Sequence, residues 1–466
     1  MTVTSSKTKS VYVLSNDVWT PPAELALSVN DTLDLLSTIL AKEPLDATSS
    51  ILSSLPLSDR TFLPADYHQR PIQLSIDSAR DEIGHTFESA VKPSLHRHGY
   101  AGKDVTVVVA ACTTFASAPP QSARLCSILG CKSDVTGINM SGTGNSMAVT
   151  AVNTAAAMLR ARPEPGVAVV AISENMSTLL YGGEDAQFLE SNACKRLGCA
   201  CIILSTHRSD KKAAKYKVCE TATTSKFFEP EETAESFGID GAGAFGFRRN
   251  ETRVYEDSLD KQVKATYGKL NGQVKGSSRL KHSHVIVEPS HPQMIRLGYR
   301  ALGMEQEIDE QDSSMNAFHA YGDVGAAACW YGLAHREASS GINKGERVLL
   351  MAVSSNLYTG TLVLEAMSDV KGTWEIQADP ERVRDMFARY YRGQRQERAP
   401  LTMRSRREDM RGRVKNAVLY PYTHGIWSSD TSRFRTALTK LEPLYHKVKA
   451  EERDTHKHHP EDTVEA

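Results

Sequence analysis

Eight cysteines are the first residues in this 466-residue chain whose chemistry invites a role: 112, 126, 131, 194, 199, 201, 219 and 329. Most lie inside apolar stretches, where a thiol behaves as a small hydrophobe rather than a nucleophile. The first ten residues are polar and carry no charged-then-apolar secretion signal, so reduced thiols are expected. Cys199 and Cys201 share one face if the run from Leu197 to Leu204 is a strand, but no second pair and no histidine cluster accompanies them. No metal and no cofactor is therefore expected. His456, His458 and His459 near the C-terminus resemble a metal tract only weakly. Asp240-Gly-Ala-Gly-Ala-Phe-Gly-Phe247 is glycine-rich, yet no Lys-Ser/Thr follows, which makes it a flexible loop and not a phosphate cradle. Polar residues set among small and apolar ones carry more information. They are Cys112-Thr-Thr, Gly142-Thr-Gly-Asn-Ser146, Glu174-Asn175, the Glu288 that closes His-Val-Ile-Val, and His319-Ala-Tyr-Gly-Asp323.

The elements that must position these residues alternate short apolar runs with longer helical patterns, the signature of α/β architecture with covered sheets. Val105 to Ala111, Gly166 to Ser173 and Ala200 to Ser205 read as buried strands, and Asn145 to Arg160 as a small-residue helix deep in a core. The second half repeats the scheme. Lys215 to Ala222 and His284 to Val287 read as strands, Asp323 to Glu337 as a second alanine-rich helix, and Arg347 to Val353 with Thr361 to Ala366 as a hairpin. The boundaries expected are 1–205 and 206–375 for two similar halves, 376–450 for a basic extension and 451–466 for a disordered tail. Arg389 to Lys415 carries ten basic and three acidic residues, a solvated segment or a docking surface.

Composition narrows the class. With 40% apolar residues, 24% charged and a net charge of −1, the chain is an ordinary globular one, with no global field for nucleic acid or an anionic membrane. No run approaches the roughly 18–20 apolar residues of a membrane span. A soluble, cytoplasmic protein is expected.

Several motifs resemble, in order, those of plant-type 3-ketoacyl-CoA synthases. They are Val11-Tyr-Val-Leu with Trp19-Thr-Pro-Pro, Leu57-Ser-Asp-Arg-Thr-Phe-Leu-Pro, Ile138-Asn-Met-Ser-Gly-Thr-Gly-Asn-Ser-Met and Ile172-Ser-Glu-Asn. Leu189-Glu-Ser-Asn-Ala-Cys-Lys-Arg-Leu-Gly, His319-Ala-Tyr-Gly-Asp-Val-Gly with Trp330-Tyr, and Lys344-Gly-Glu-Arg-Val complete the series. The resemblance covers roughly residues 10–368 and points to the chalcone synthase-like and ketoacyl synthase branch of the thiolase superfamily. It implies a five-layered αβαβα fold of two similar halves, a homodimer, and a buried site between the halves where acyl thioesters react.

It also implies a cysteine nucleophile, a histidine and an asparagine, and this chain has none of the three where the motifs put them. Gly142-Thr-Gly-Asn145-Ser places Asn145 at the nucleophile, Glu288 aligns with the histidine, and Asp323 stands where the asparagine would. His291 takes the place of Glu288 if the loop is shifted, and Ser146 is the nearest hydroxyl to Asn145. A neutral amide forms no acyl-enzyme, and two carboxylates beside the departing carboxylate of a malonyl unit would oppose condensation. Two carboxylates in one buried pocket would instead repel, so that one holds a proton and supplies general acid–base chemistry.

The activity expected is release of a polyketide or β-keto acyl thioester, held on coenzyme A or a carrier protein, by lactone or pyrone ring closure. Acyl transfer or hydrolysis without a cysteine, and a catalytically silent partner subunit of a ketoacyl synthase, are the alternatives. Asn145 would be an oxyanion donor or substrate anchor. Supporting positions are His319, Cys112, and Ser354 and Ser355, which match a loop lending an oxyanion-hole amide in the family. A polyketide synthase carrier domain is a candidate partner for the basic segment.

Overall fold

Runs such as Val167-Ala-Val-Val-Ala-Ile-Ser173 and Cys199-Ala-Cys-Ile-Ile-Leu-Ser205 are apolar throughout because both faces are covered, and every residue in them is buried. The computed structural model that shows this describes residues 9–397, apart from 71, 73, 226–234, 241, 250–252, 273–282, 306–311, 355–357 and 374–378. The first half runs β1 (Tyr12–Trp19), β2 (Ala26–Leu27), α1 (Val29–Leu36), α2 (Lys42–Ser54), β3 (Thr61–Phe62), α3 (Ile76–Arg97) and β4 (Val105–Ala111). It continues with α4 (Gln121–Leu129), β5 (Thr136–Met140), α5 (Met147–Ala161), β6 (Val167–Ser173), α6 (Ala186–Cys194) and β7 (Cys199–Ser205). The second half runs β8 (Tyr216–Ser225), β9 (Glu235–Ile239), β10 (Phe245–Arg249), α7 (Arg253–Gly272), β11 (His284–Val287) and α8 (Pro292–Leu302). It ends with α9 (Ser313–Tyr321), α10 (Ala328–Ser339), β12 (Arg347–Val353) and β13 (Tyr358–Ala366), followed by α11 (Pro380–Glu397).

Strand order in the main sheet is β11-β12-β13-β8-β1-β7-β6-β4-β5. The two halves repeat one pattern within it. β4 pairs parallel with β6, which pairs antiparallel with β7 and so on to β1. β11 likewise pairs parallel with β12, which pairs antiparallel with β13 and so on to β8. The halves are stitched where Tyr12 and Val13 of β1 face Lys217 and Tyr216 of β8. Both halves fall in one compact unit, Met1–Tyr391.

Five layers follow from where the apolar faces go. α3 packs Ile83, Phe87 and Val91 on one face of β4, β6 and β7. The opposite face, with inward residues of β12 and β13, encloses α5 and α10. Leu259, Val263 and Leu297 of α7 and α8 cover the far side of β12. The two central helices are alanine-rich because they lie enclosed between the two halves of the main sheet. Trp330 on α10 fills the space left by the small side chains, and its indole N–H donates to the Ala148 carbonyl at 3.0 Å. This is the αβαβα thiolase architecture expected from the motifs.

At the C-terminal end, α11 buries Val383, Phe387 and Tyr390 beside Leu52, Ile295 and Phe318. The second unit is Arg392–Ala466, and residues 398–466, including Arg404, Arg406, Arg407 and the tail 451–466, lie outside the described residues. Among the described residues no helix is long and apolar enough to cross a membrane.

Candidate active site

Asn145 sits in the 3-10 turn Gly144–Ser146 that leads into α5. The turn needs its glycine, because Gly144 has φ +64° and a Cβ there would come 2.9 Å from Ser354 Oγ. Asn145 is 4% exposed, and its Nδ2 donates to Glu288 Oε1 at 2.5 Å. Glu288 is the first residue after β11. Parallel pairing with β12 fixes it there, through its N–H on the Met351 carbonyl at 2.9 Å. Its second oxygen accepts the Val353 N–H at 2.8 Å. Both carboxylate oxygens are thus engaged in a place that is 2% exposed. The Glu288 charge adds to burial in pushing the nearby Cys329 thiol well up, so that thiol stays protonated.

His291 does not take this position. It caps α8, its Nδ1 accepting from the Gln293 N–H at 3.3 Å, and its Nε2 lies 3.1 Å from Glu190 Oε1 and 3.5 Å from the Tyr390 hydroxyl. Glu288, not His291, is the group beside Asn145.

Asp323 lies between α9 and α10, fully buried, in an isolated bridge with Lys195. Its N–H donates to the Cys194 carbonyl at 3.0 Å, and its own carbonyl accepts from Arg196 N–H at 2.9 Å. Oδ1 accepts the Gly325 N–H at 2.8 Å, and Oδ2 is 2.8 Å from the Lys195 ammonium. That ammonium lies over the Phe247 ring, 5.2 Å from its centroid. The expected repulsion between two carboxylates is therefore not what organises the site. Each has its own compensating donors: an amide and a backbone N–H for Glu288, a lysine and a backbone N–H for Asp323.

Glu174 belongs to the same interior. Its Oε2 accepts from the N–H groups of Thr113 and Thr114 and from the Thr114 hydroxyl, each at 3.0 Å, and its Oε1 from the Ala326 N–H at 3.3 Å. Burial raises its pKa, against the opposing pull of Lys195. Gly325, with φ +60°, leaves room for it, since a Cβ there would fall 2.1 Å from Glu174 Cγ. The 3-10 turn Gly325–Ala327 packs against the turn that carries Asn145. Sequence reasoning missed Lys195 and Glu174 as site groups. The available signal was a Lys-Arg pair in an otherwise apolar connection between α6 and β7, which demands buried partners.

The supporting positions divide. The Ser146 hydroxyl is 3.1 Å from the Thr143 carbonyl and 2.7 Å from Ser354 Oγ, which also accepts the Ser146 N–H at 3.0 Å and approaches the Thr143 carbonyl. These bonds fasten the Asn145 turn to the loop after β12. The Ser354 N–H donates to the Tyr358 carbonyl at 2.9 Å, closing the β12–β13 hairpin, so it is committed and is not an oxyanion-hole amide. Ser355 lies outside the described residues. His319 Nδ1 is 3.0 Å from the Pro56 carbonyl, and burial pushes its pKa down, which makes it a neutral structural histidine. Cys112 is buried near Thr114 and Glu174, with its thiol pushed far up by burial and then by the Glu174 charge. A cleft of about 710 Å³ opens elsewhere, lined by Asn16, Asp17, Arg97, Lys215, Glu337 and Lys371, and includes none of Asn145, Glu288 and Asp323.

Comparison with known proteins agrees with this architecture. 3-Ketoacyl-CoA synthase 7 of Arabidopsis thaliana is 24% identical over 388 residues, covering 77% of this chain and 83% of the relative. 3-Ketoacyl-CoA synthase 9 of the same plant is 25% identical over 393 residues, covering 78% and 76%. Among solved structures, the C-terminal type III polyketide synthase domain of Steely1, a type I/III hybrid from Dictyostelium, superposes with a TM-score of 0.63 at 16% identity, over 77% of this chain and 99% of that one. CsyB complexed with CoA-SH gives 0.62 at 15% identity, over 77% and 100%. The likeness to these structures is one of fold. The family model for FAE1/type III polyketide synthase-like proteins matches residues 3–238, half of the chain, and it is to that family that the protein belongs.

Proposed function

We propose that the protein is a non-condensing member of its family that releases a polyketide or β-keto acyl thioester by acid–base ring closure. The observation that supports this reading is the Asn145–Glu288 hydrogen bond at the head of the central helix. An amide and a carboxylate meet where the resemblance implies a thiol and an imidazole. The amide cannot be acylated, while the carboxylate can accept a proton. Glu288 takes the proton of a substrate enol, whose oxygen attacks the thioester carbonyl. A C–O bond forms, the tetrahedral oxyanion collapses, and the C–S bond breaks. The thiolate then recovers the proton from Glu288, leaving lactone or pyrone and free thiol with no net redox change. Asn145 turns its amide from Glu288 to the carbonyl oxygen as charge develops there. Lys195, held by Asp323, adds a positive charge to the same interior, which makes Asp323 a positioning residue. The solved structure of CsyB with CoA-SH favours coenzyme A as the thiol carrier. A homodimer, a cytoplasmic location and a carrier-domain partner belong to the same proposal.

One observation favours a second reading, that of a silent partner subunit in a ketoacyl synthase. The Glu288 and Asp323 carboxylates are satisfied inside the chain, by Asn145 and Val353 for Glu288 and by Lys195 and Gly325 for Asp323. Incubation of the purified protein with triketide and longer thioesters separates the readings. Thiol and lactone should appear together above the uncatalysed background. Thiol with free acid, or with an ester of an added alcohol, identifies hydrolysis or acyl transfer. No release above background at any chain length supports the silent subunit.

A further inference from the structure

The residue before Lys195 and the loop after Glu288 come together a second time, away from the Asn145 turn. Glu190 and Cys194 lie four residues apart on α6 and therefore share a helix face. His291, at the start of α8, turns its Nε2 toward that face, 3.1 Å from Glu190 Oε1. One ligating atom from each of the three residues lies within 4.8 Å of the other two. In a tetrahedral zinc site with ordinary Zn–S, Zn–N and Zn–O bonds, ligand atoms stand about 3.3–3.8 Å apart, so closure needs a side-chain adjustment of about 1 Å at most. Cys194 and His291 are buried, and the Glu190 side chain, 22% exposed, leaves a way in. The Tyr390 hydroxyl lies 3.5 Å from the same Nε2.

We propose that Glu190, Cys194 and His291 bind a zinc-class divalent cation, with water in the fourth position. The donor set selects the ion: thiolate and imidazole suit zinc and disfavour magnesium and calcium, which take oxygen ligands. Binding releases one proton, that of the Cys194 thiol. Coordination through Nε2 leaves the ring proton of His291 on Nδ1, so the 3.3 Å capping contact from the Gln293 N–H is given up in exchange. Cys199 and Cys201 are packed among Ile203 and Val169 in a sheet core and take no part. The cation would fasten the end of α6, and so Lys195, to the loop that carries Glu288. It would serve as a clip on the site and not as a reactant.

The test uses the full-length protein, stripped with a chelator and titrated with Zn²⁺ against a competing indicator, and with Co²⁺ for its thiolate-to-metal absorption. The wild type should take up one Zn²⁺ tightly and show the cobalt–thiolate band of a tetrahedral site. Cys194→Ser should abolish that band, and Cys194→Ser and His291→Gln should each weaken Zn²⁺ binding at least about a hundredfold. Wild-type protein without the cobalt–thiolate band, or Zn²⁺ affinity unchanged in these variants because the tail histidines bind the metal, would overturn the proposal. Far-UV circular dichroism checks folding. If Cys194→Ser is misfolded, the more exposed Glu190→Gln decides, with a drop of about tenfold expected and an unchanged affinity counting against the site.

Discussion

The two central helices begin alike and are finished differently. Each is entered through a 3-10 turn with a positive-φ glycine, Gly144 before α5 and Gly325 before α10, and each approach holds a polar group in the interior, Asn145 within its turn and Asp323 two residues ahead of Gly325. At α5 that group is a neutral amide, Asn145, bonded to a carboxylate. At α10 it is a carboxylate, Asp323, bonded to an ammonium. The first arrangement buries one charge and leaves it able to accept a proton. The second pairs a buried carboxylate with a lysine. Under the proposed function, the approach to α5 is the chemical one and the approach to α10 the electrostatic one.

If that division is right, the second region is the more fragile to mutation. Lys195→Met leaves Asp323 and Glu174 in the interior without their cation and should cost about 3–5 kcal/mol in denaturant unfolding. Lys195→Met with Asp323→Leu should recover most of the loss, and Asp323→Asn, which still accepts from the lysine, should cost less than Lys195→Met. A loss below 1 kcal/mol in Lys195→Met would mean that the pair is not the anchor described here.

Acid should also reach the second helix first. His335 on α10 has its pKa pushed down to about 4 by burial and then by Arg336, whereas the buried face of α5 carries no ionisable side chain. The folded pKa lies below the ordinary value of 6.5, so the stability tied to neutral His335 is complete above pH 6.5 and is lost as pH falls toward 4. The full loss is about 3 kcal/mol. Hydrogen exchange at pH 7 and pH 5 should show protection falling earlier in α10 than in α5. His335→Gln should flatten that part of the profile, and an equal fall in both helices would remove the distinction.

Smaller effects sharpen the first region. Asn145→Ala removes a donor from Glu288 inside the protein and should cost about 1–3 kcal/mol. Ser354→Ala loosens the tie between the Asn145 turn and the β12–β13 hairpin and should cost about 1 kcal/mol, with α10 unaffected in hydrogen exchange.

Much of this was legible in the sequence for physical reasons. Apolar runs buried on both faces, such as Val105 to Ala111, are nearly unmistakable, and alanine-rich helices between sheets read the same way in both halves. Glu288 could be placed because it ends a short strand, His284 to Val287, whose pairing fixes where the next side chain goes. The pairing of Lys195 with Asp323 was not legible, because it joins segments from different halves and depends on the path between α6 and β7. Nor could sequence show that the Ser354 N–H is already spent on the Tyr358 carbonyl, a consequence of hairpin register. His291 and Glu288 were separable only once α8 was seen to start at Pro292, which makes His291 its cap.

The central claim is that Glu288 is a base in an enzyme with no nucleophile. It is tested most directly by thiol and lactone release from a polyketide thioester, comparing wild type with Glu288→Gln. The substitution keeps size and removes the proton acceptor, so the rate should fall about 10²–10⁴-fold while the unfolding midpoint changes little. Asn145→Cys should not restore condensation, because the group beside it is the Glu288 carboxylate and not a histidine. Equal rates for wild type and Glu288→Gln across several chain lengths, both at the uncatalysed background, would contradict the account.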